Sequence, residues 1–593
     1  MATKRAIVIG SGAGGSMAAR ALARSGKFKV TIFEKGTNYF TNLTHPDVSQ
    51  VKTRFSNDEL KFGTRSWISP DPLVDPRSFR TSTSVDREFV GEVNTLPQTV
   101  GGGLNHADWK ARRFRRADFR LADIAAATGT DISGSSVQNW PIGYDDLEKF
   151  YTAVEYVVGV QGPGAAQMSA GAAALFSPRS TPFPMPPGVP QYVALRLGSA
   201  ATTLGLHPVP APMGITSQIY RGRAACNDCG FDGNFGCPIN AKGSPAVTSL
   251  RDALLAGATL RPDCYVDHLK LGPYNRIESV DYFDENGAPQ TMDVGPKGVV
   301  ILAASAIEDA RLCLNSGLGA LNDNIGRHLM FHYQTTVVGV FPERLHPHRG
   351  RPITHMIDDL CGPAELADYS PTTPPRGGTI ELGGSQNLID EGKNIPISGT
   401  AHKQLMRQSP TRDHLAAMTM QGEDLPQAGN RVDLDPGLRD IHGIPVARVT
   451  YANHSFELAA AQYYTPMLLD ILRVAGATFT APLGGDAPRG LLPPELEGNA
   501  QNPTANLVPG SRHLLGGLRM GDDPANDQSV TDSHGKFHDF DNLYAADGSL
   551  FVTSTGMNPS LTIMALGHRV GCSILNRLDP EAARQQIDGD LFA

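Results

Sequence analysis

His513 and Asn558 have the residue types and the surroundings that proton-transfer chemistry requires. His513 stands shortly before a glycine-rich turn, and an imidazole, whose ordinary pKa lies near neutrality, is well suited to act as a general base. Asn558 follows 45 residues later and could hydrogen-bond a substrate hydroxyl. The alternative for His513, as for any of the 17 histidines, is a structural role. For Asn558, which precedes Pro559, the alternative is a turn or a helix start; from the residues alone both residues are candidates for catalysis.

A glycine-rich turn at the start of the chain has the sequence of a phosphate cradle. Residues 5–10 form an apolar strand pattern that runs into Gly10-Ser-Gly-Ala-Gly-Gly15, and a helix-forming segment follows. The first glycine allows the sharp turn, the second lets the backbone approach a pyrophosphate, and the last lets the helix pack against the sheet. A second strand pattern, 30–33, ends on Glu34, whose carboxylate suits a ribose with both hydroxyls unmodified. The predicted dinucleotide contacts of this unit are Gly10, Gly12, Ala13, Gly14, Gly15 and Glu34.

A segment more than five hundred residues later matches this cradle. An apolar strand pattern over 543–546 ends on Asp547 and Gly548, and residues 556–559 lead into an apolar helix. The Asp547 carboxylate could accept hydrogen bonds from ribityl hydroxyls; its alternative role is to cap the next turn. Together the two segments predict that both ends of the chain hold one dinucleotide, which indicates a flavoenzyme rather than a generic nucleotide-binding protein.

Three of the seven cysteines lie close together in the sequence, at Cys226, Cys229 and Cys237. Such density in a cytoplasmic protein suggests metal or redox use before a disulfide. Only three thiolates are available locally, whereas iron–sulfur clusters usually have four, and zinc would also lack a nearby fourth ligand. Two interpretations of these cysteines therefore stay open: an iron–sulfur cluster, and a cysteine-rich loop that holds no cluster. The pair His328 and His332 has helical spacing without an acidic partner, and we interpret it as packing.

Composition excludes several classes of function. The chain has 593 residues, of which 40% are hydrophobic and 19% charged, so it can bury a large core and divide into two or more domains. A net charge of −8 gives no basic field for nucleic acid or anionic lipid. No apolar run approaches the roughly 18 residues of a membrane helix, and the first strand begins by Arg5, which leaves no room for a signal peptide. We expect a cytoplasmic protein, with export alongside a partner left open.

The elements that must position these residues follow from hydrophobic periodicity and chain breakers. A continuous apolar strand at 298–305 leads into a helix at 306–315, as expected of a buried parallel strand. A helical pattern covers 456–477, with Gly476 as its C-terminal glycine. The other patterns are strands at 430–435 and 445–451, and irregular Pro- and Gly-rich segments at 161–191, 370–400 and 481–511.

Several segments carry a family resemblance, in the right order along nearly the whole chain. They are the glycine turn, Val100-Gly-Gly-Gly-Leu-Asn-His106, and the segments 140–147, 303–308, 326–332, 513–521 and 547–562. With them the chain resembles the glucose–methanol–choline (GMC) flavin oxidoreductases, and among these the bacterial FAD sugar and alcohol dehydrogenases and the pyranose oxidases. The resemblance implies bound FAD, a doubly wound Rossmann-type FAD domain built from discontinuous segments, and a sheet-based substrate domain with helices.

Combined with the alternating strand and helix signals, the resemblance predicts an α/β protein, α+β overall, in five segments. The FAD domain comprises 1–160, with a flavin-contacting loop around 98–115, then 226–331, and finally 506–593, which carries the catalytic residues. Segment 161–225 is predicted to be an irregular excursion on the substrate side, and 332–505 to be the substrate-binding domain.

The resemblance also implies further flavin contacts and a question about covalent attachment. The run 100–106 resembles the pyranose-oxidase segment whose histidine is joined to the flavin. Residues 104, 105 and 107 depart from that pattern, so we expect a non-covalent His106 and leave a covalent bond open. The contacts implied in this way are Gly101, Gly102, Asn105, His106, Ala304, Gly548, Asn558 and Pro559.

The resemblance implies oxidation of a CH–OH group in an alcohol, sugar or glycoside. His513 would take the hydroxyl proton, Asn558 would orient the hydroxyl, and a hydride would pass to flavin N5. The expected partners are this small molecule and an electron acceptor, either O₂, a quinone or a redox protein. Two alternatives stay open: a non-redox relative, such as a lyase or photodecarboxylase, and an electron-transfer subunit with flavin and an iron–sulfur cluster. Cys237-Pro-Ile resembles a cluster ligand of bacterial FAD glucose dehydrogenases, but the spacing of the other two cysteines differs.

Overall fold

The computed structural model describes residues 4–54, 75–91, 93–94, 96–230, 233, 235–383, 397–409, 412–483 and 511–591. Most of the predicted irregular segment 481–511, and residues 384–396 of the segment 370–400, lie outside these ranges. Within them, no helix combines the length and the apolar character needed to cross a membrane.

The described chain contains both strands and helices. The strands are β1 Lys4–Ile9, β2 Phe28–Phe33, β3 Phe40–Thr41, β4 Lys52–Thr53, β5 Arg77–Arg80, β6 Phe89–Gly91, β7 Val209–Pro210, β8 Thr259–Arg261, β9 Tyr265–Gly272, β10 Arg276–Phe283, β11 Pro289–Asp293, β12 Val299–Leu302, β13 Tyr333–Val340, β14 Ile353–Ile357, β15 Gly378–Gly383, β16 Leu415–Gly422, β17 Arg431–Arg439, β18 Pro445–Thr450, β19 Phe479–Leu483 and β20 Leu543–Ala545. The helices are α1 Ala13–Arg24, α2 Leu121–Thr128, α3 Tyr144–Val158, α4 Ala170–Ala174, α5 Tyr192–Thr203, α6 Ser249–Leu255, α7 Ala306–Asn315, α8 Gly399–Gln408, α9 Ser455–Val474, α10 Pro524–Asp527, α11 Ser560–Asn576 and α12 Pro580–Leu591.

A parallel sheet joins the two ends of the chain, in the order β20-β12-β1-β2-β8. β12 is buried throughout and β1 over its last four residues, as expected of parallel strands that are covered on both faces. The register pairs Ile9 with Leu302, and Leu302 with Ala545. The residues that follow β1, β12 and β20 therefore lie at the same edge of the sheet. These strands, and the helix that follows β12, confirm the sequence predictions.

Helices from the two ends also pack directly on each other. A Cβ at Gly567 of α11 would lie 2.3 Å from the Gly14 carbonyl oxygen of α1, and one at Gly571 would lie 3.0 Å from the Ala18 carbonyl oxygen. Only glycine lets two helices approach so closely, because any side chain would separate their backbones. The predicted joining of the two ends is thus built into both the sheet and the helix layer.

A second, six-stranded sheet is antiparallel and has the order β19-β13-β16-β15-β14-β7. Along its strands apolar residues alternate with polar ones, since successive side chains point to opposite faces. One face packs with α5 and α9 in a single hydrophobic core, and it includes Val337, Ile380, Leu382, Met418 and Met420. We call the other side of these strands the polar face; it carries Gln334, Thr336, Glu381, Thr419 and Gln421.

The helix α5 lies in the segment 161–225, which was expected to be irregular. Residues 161–191 are mostly without regular structure, whereas Tyr192–Thr203 is helical and buries Val193, Ala194 and Leu197. The predicted helix at 456–477 is confirmed as α9, and Gly476 beyond it has φ +103°, a conformation that favours glycine.

A third sheet combines distant strands in the order β17-β18-β5-β6. β18 pairs in parallel with β5, and Phe79, Val432 and Val449 pack with Ala306 and Ile307 of α7. The strands predicted at 430–435 and 445–451 are confirmed, but they lie against a helix of the nucleotide side. Their partner strand is more than 350 residues away in the sequence, so its identity could not be read from local patterns.

Candidate active site

A cavity of about 510 Å³ lies at the carboxyl edge of the parallel sheet. It is lined by the glycine turn, by residues that follow β12 and β20, by the segment 96–110, and by His513. Of the predicted cofactor contacts, the residues that line it are Gly10, Gly12, Ala13, Gly14, Glu34, Gly102, His106, Ala304, Asp547, Gly548 and Pro559. Gly15, Gly101, Asn105 and Asn558 are not among its lining residues.

The glycine turn has the shape and polarity of an anion site. A Cβ at Gly14 would lie 1.7 Å from the Ala546 carbonyl oxygen, and one at Gly10 would lie 2.1 Å from that of Ala303. At Gly12, by contrast, the nearest heavy atom would be Gly102 Cα at 4.0 Å, so this part of the turn is open. Among the described residues no side chain caps the N-terminus of α1, which leaves backbone N–H groups for a phosphate. The cradle therefore fits the pyrophosphate of a dinucleotide.

Glu34 closes the cradle at the end of β2. Its carboxylate accepts hydrogen bonds from the backbone and hydroxyl of Ser11 at 3.1 and 2.6 Å, and from the Gly36 N–H at 2.8 Å. Burial raises the pKa of Glu34, although these hydrogen bonds act in the opposite direction. A carboxylate held in this position can accept hydrogen bonds from the hydroxyls of a ribose.

Asp547 links the ends of β20 and β12. Its carboxylate accepts hydrogen bonds from the Ser549 N–H and hydroxyl at 2.9 and 2.6 Å, and from the Ser305 N–H at 2.7 Å. The capping role considered for Asp547 is therefore present together with its place in the cavity wall. Burial and the neighbouring Asp547 charge raise the pKa of Asp309 well above its usual range. Asp309 can thus stay protonated and share its proton with Asp547.

His513 lies in the cavity wall beside a second imidazole. Its Nδ1 is 3.1 Å from Nδ1 of His332, and the two rings meet edge to face at 4.7 Å between centroids. Burial lowers the pKa of His513 well below its ordinary value, and His332 and Lys110 lower it further. Because Nδ1 contacts His332, Nε2 is the ring nitrogen of His513 that this contact does not use. From the sequence we interpreted His332 as packing, so its contact with His513 was not predicted.

A buried ion network lies next to the predicted catalytic pair. Lys110 Nζ donates to Glu381 at 2.6 Å and contacts Asp108 at 3.0 Å. Burial alone would lower the pKa of Lys110, but the two carboxylates raise it above its ordinary value. Burial raises the pKa of Glu381, although Lys110 and a hydrogen bond from Asn558 act in the opposite direction. Lys110 therefore keeps its charge where it acts on His513, and Glu381 ties Asn558 to the polar face.

The polar face supplies further side chains that sequence analysis missed. Gln334 and Gln421 line the cavity, and Gln334 Nε2 donates to Gln421 Oε1 at 3.2 Å. Farther along the same strands, the hydroxyls of Thr336 and Thr419 are 2.9 Å apart. The available signal was the alternation of polar and apolar residues in these strands, including the single acid Glu381 in β15. Alternation alone does not tell which polar row faces a cavity.

The three clustered cysteines lie outside this site. All seven cysteines are in the described part of the chain, where none forms a disulfide. Cys237 lines a separate small cavity with Asn240 and Lys242. Among the described residues, the only group of three or more His, Cys, Asp or Glu side chains whose ligand atoms all lie within 4.8 Å of one another does not include Cys226, Cys229 or Cys237.

Comparisons with known proteins agree with this architecture. Family models described as GMC oxidoreductase match residues 209–334 and 426–567, and one described as an NAD(P)-binding Rossmann-like domain matches residues 8–71. The chain is 27% identical over 565 residues to paromamine 6'-oxidase of Streptomyces fradiae, which covers 94% of this chain and 89% of the relative. It is 27% identical over 593 residues to 2-methyl-1,2-propanediol dehydrogenase of Mycolicibacterium austroafricanum, with 96% and 95% covered.

The fold is similar to that of pyridoxine 4-oxidase from Mesorbium loti. The TM-score is 0.57 at 15% sequence identity, with 96% of this chain and 99% of that chain covered. The GMC matches contain β7 to α7 and β17 to β20, and the Rossmann-like match contains the glycine turn. The resemblance carried by the sequence motifs is confirmed: this chain is an oxidoreductase of the glucose–methanol–choline family.

Proposed function

We propose that this GMC oxidoreductase binds FAD and oxidises a CH–OH group of a small polyhydroxylated alcohol or sugar. The observation that carries the proposal is the continuity of one cavity, which runs from the uncapped glycine turn to His513 and the polar face. The phosphate, ribose and ribityl parts of FAD have fitting partners in the glycine turn, Glu34 and Asp547. When bound, FAD supplies at N5 the two-electron acceptor for the carbinol hydrogen.

The side chains of this chain account for the proton and for substrate orientation. His513 has a lowered pKa, so it is neutral near pH 7 and can accept the hydroxyl proton at Nε2. Asn558 is buried, and within the described residues its Oδ1 has no hydrogen-bond partner. An amide in this position can orient the reacting hydroxyl. The Lys110 charge favours the negative charge that develops on the substrate oxygen.

The polar face favours a substrate with several hydroxyls. Gln334 and Gln421 present amide donors and acceptors to the cavity, and buried amides lose free energy when an apolar ligand leaves them unpaired. A relative named for a diol, 2-methyl-1,2-propanediol dehydrogenase, supports the same class of substrate. Sugars, sugar derivatives and short polyols are therefore the class that we propose.

Anaerobic mixing of the purified protein with a substrate panel tests this function. We expect polyols or sugars to bleach the visible flavin absorbance, and a long-chain alcohol to do so poorly. His513→Ala should retain the yellow cofactor but slow its reduction by about 100-fold or more, the size expected for loss of a general base. His402→Ala, on the remote helix α8, is the control. Unchanged reduction in His513→Ala would remove that residue from its role, and a colourless protein that refuses FAD would remove the function.

Two cofactor questions are answered on the same protein. We infer that His106 lines the flavin site without a covalent bond, so acid denaturation should release all yellow colour from the polypeptide. We further infer that Cys226, Cys229 and Cys237 hold no iron–sulfur cluster, so iron analysis of anaerobically purified protein should find none. Colour that stays with the chain, or stoichiometric iron, would contradict the respective inference. Reoxidation by O₂ and by a quinone, compared after anaerobic reduction, identifies the acceptor.

A further inference from the structure

Two histidines and an aspartate converge far from the active site. The loop that leaves β13 carries His346 and His348, and the turn that enters β16 carries Asp413. These segments are neighbours because β13 and β16 are antiparallel partners, with Val340 opposite Leu415. The His346 N–H also donates to the Asp413 carbonyl oxygen at 3.2 Å.

The three side chains turn their polar atoms toward one another without hydrogen-bonding. Asp413 Oδ1 lies 3.4 Å from His346 Nδ1 and 3.3 Å from His348 Nδ1, and all three atoms lie within 4.8 Å of one another. Each of these atoms is shielded from solvent, and none has a hydrogen-bond partner among the described residues. Burying three such atoms without partners costs free energy, so the arrangement calls for a ligand.

A second histidine–aspartate pair in the same protein provides the nitrogen-to-oxygen distance of a hydrogen bond for comparison. His207 Nδ1 and Asp359 Oδ1 are 2.7 Å apart, the spacing of a charge-assisted hydrogen bond. The 3.3 and 3.4 Å separations at Asp413 are longer. They match the ligand-to-ligand distance of a tetrahedral metal centre, because bonds of about 2.0–2.1 Å place tetrahedral ligands about 3.3–3.4 Å apart.

We propose that His346 Nδ1, His348 Nδ1 and Asp413 Oδ1 bind a divalent transition-metal ion of the Zn²⁺ class, with a fourth position open to water. Imidazole and carboxylate are ligands that Zn²⁺ takes in proteins, and the side chains keep 20–38% of their surface exposed. An ion can therefore enter from solvent.

The position of the site indicates a structural role for the ion. The cavity residues Gln334 and Gln421 lie at the opposite ends of β13 and β16, so the metal would be roughly 20 Å away at about 3.3 Å per residue. The same loop contacts the cysteine-containing segment, since the Gly350 N–H donates to the Asp228 carbonyl oxygen at 3.2 Å. The ion would thus tie the loop after β13 to β16 and steady a third segment.

Metal titration of the untagged, chelator-treated full-length protein tests the site. With Co²⁺ as the probe, we expect one ion per chain and the intense visible bands of tetrahedral coordination, and Zn²⁺ should displace it and raise the melting temperature. His348→Gln and Asp413→Asn should each weaken binding by about 100-fold or more, because even outer-shell changes cost about 10- to 100-fold. His207→Gln, which changes the hydrogen-bonded pair, is the matched control and should bind like the parent protein.

The outcomes separate this site from the active site. Flavin reduction should be the same with and without the ion, because the two sites share no residue. Absence of stoichiometric Co²⁺ and Zn²⁺ binding at micromolar concentration overturns the proposal, as does binding that survives in a folded Asp413→Asn variant. Circular dichroism of each variant shows that it is folded, so lost binding reports on the ligands themselves.

Discussion

The glycine cradle and the polar face line one cavity, but they are built in opposite ways. In the cradle the close contacts are made by backbone, as where Gly14 meets the Ala546 carbonyl oxygen. On the polar face they are made by side chains, as between Gln334 and Gln421. Backbone contacts leave room for only one residue type, whereas a side-chain contact can be exchanged for another. The cradle should therefore fail abruptly on substitution, and the polar face should change gradually.

Among the changes that test this difference between the cradle and the polar face, the largest effect is expected for Gly14→Ala. The added methyl group would lie 1.7 Å from the Ala546 carbonyl oxygen, so α1 and the turn after β20 must separate. Overpacking of this kind costs about 1–3 kcal/mol, and more where backbone must move, so we expect flavin binding to weaken by about 5- to 140-fold or more. The measurement is the ratio of flavin to protein absorbance after gel filtration, together with the melting temperature.

Gly429→Ala is the control for this change. A Cβ at Gly429 meets no described atom within 4 Å, so this variant should keep its flavin and its melting temperature. If Gly14→Ala binds FAD as tightly as the parent protein, the claim that backbone contacts make the cradle less tolerant of substitution than the polar face is wrong.

The same distinction explains what could be predicted from the sequence. The glycine turn, Glu34 and Asp547 were found because each follows a short strand pattern, and backbone constraints leave a local signature of glycines and acids. Lys110 and Glu381 were not found, since they are 271 residues apart and neither stands in a motif. Their pairing depends on which row of a distant sheet faces the cavity.

The third sheet and the second imidazole were missed for the same reason. β18 pairs with β5 across more than 350 residues, and the interpretation of His332 as packing rested on its spacing from His328 alone. His332 is indeed buried, but its neighbour is His513, which is 181 residues later. Local periodicity predicts elements well, whereas contacts between elements become visible only in the folded chain.

A smaller effect is expected for Lys110→Met. Lys110 lines the cavity shared by the two regions and pairs with Glu381 of the polar face. Removing the ammonium should raise the pKa of His513, because Lys110 is one of the groups that lowers it. His513 must be unprotonated to act as a base, so the acid limb of the pH–rate profile should move to higher pH. At pH 7 we expect flavin reduction to slow by about tenfold, or roughly 1.4 kcal/mol of barrier.

The pH profile of anaerobic flavin reduction checks this prediction, and Lys270→Met is the control. Lys270 is half-exposed on β9 and pairs with Asp281 at 3.2 Å, so its loss should leave the profile unchanged. A uniform fall in rate at every pH, with no shift of the acid limb, would contradict the predicted effect of Lys110 on the pKa of His513.

The smallest effect is expected on the polar face, for Gln334→Leu. The change removes one amide from the cavity while it retains a similar volume, and a single hydrogen bond contributes about 0.5–1.5 kcal/mol. For a sugar or polyol that uses this amide, KM should rise by about 2- to 12-fold, whereas kcat should stay nearly constant because the amide binds ground and transition states alike. For a simple monohydric alcohol, KM should stay the same or fall.

Thr336→Val is the control for this change. Thr336 is the next residue along the same face and lies outside the cavity lining, so its substitution should change neither constant. A loss in kcat comparable to that of His513→Ala would mean that the polar face takes part in the chemical step, and the contrast with the cradle would then lie in position rather than in how each region is built.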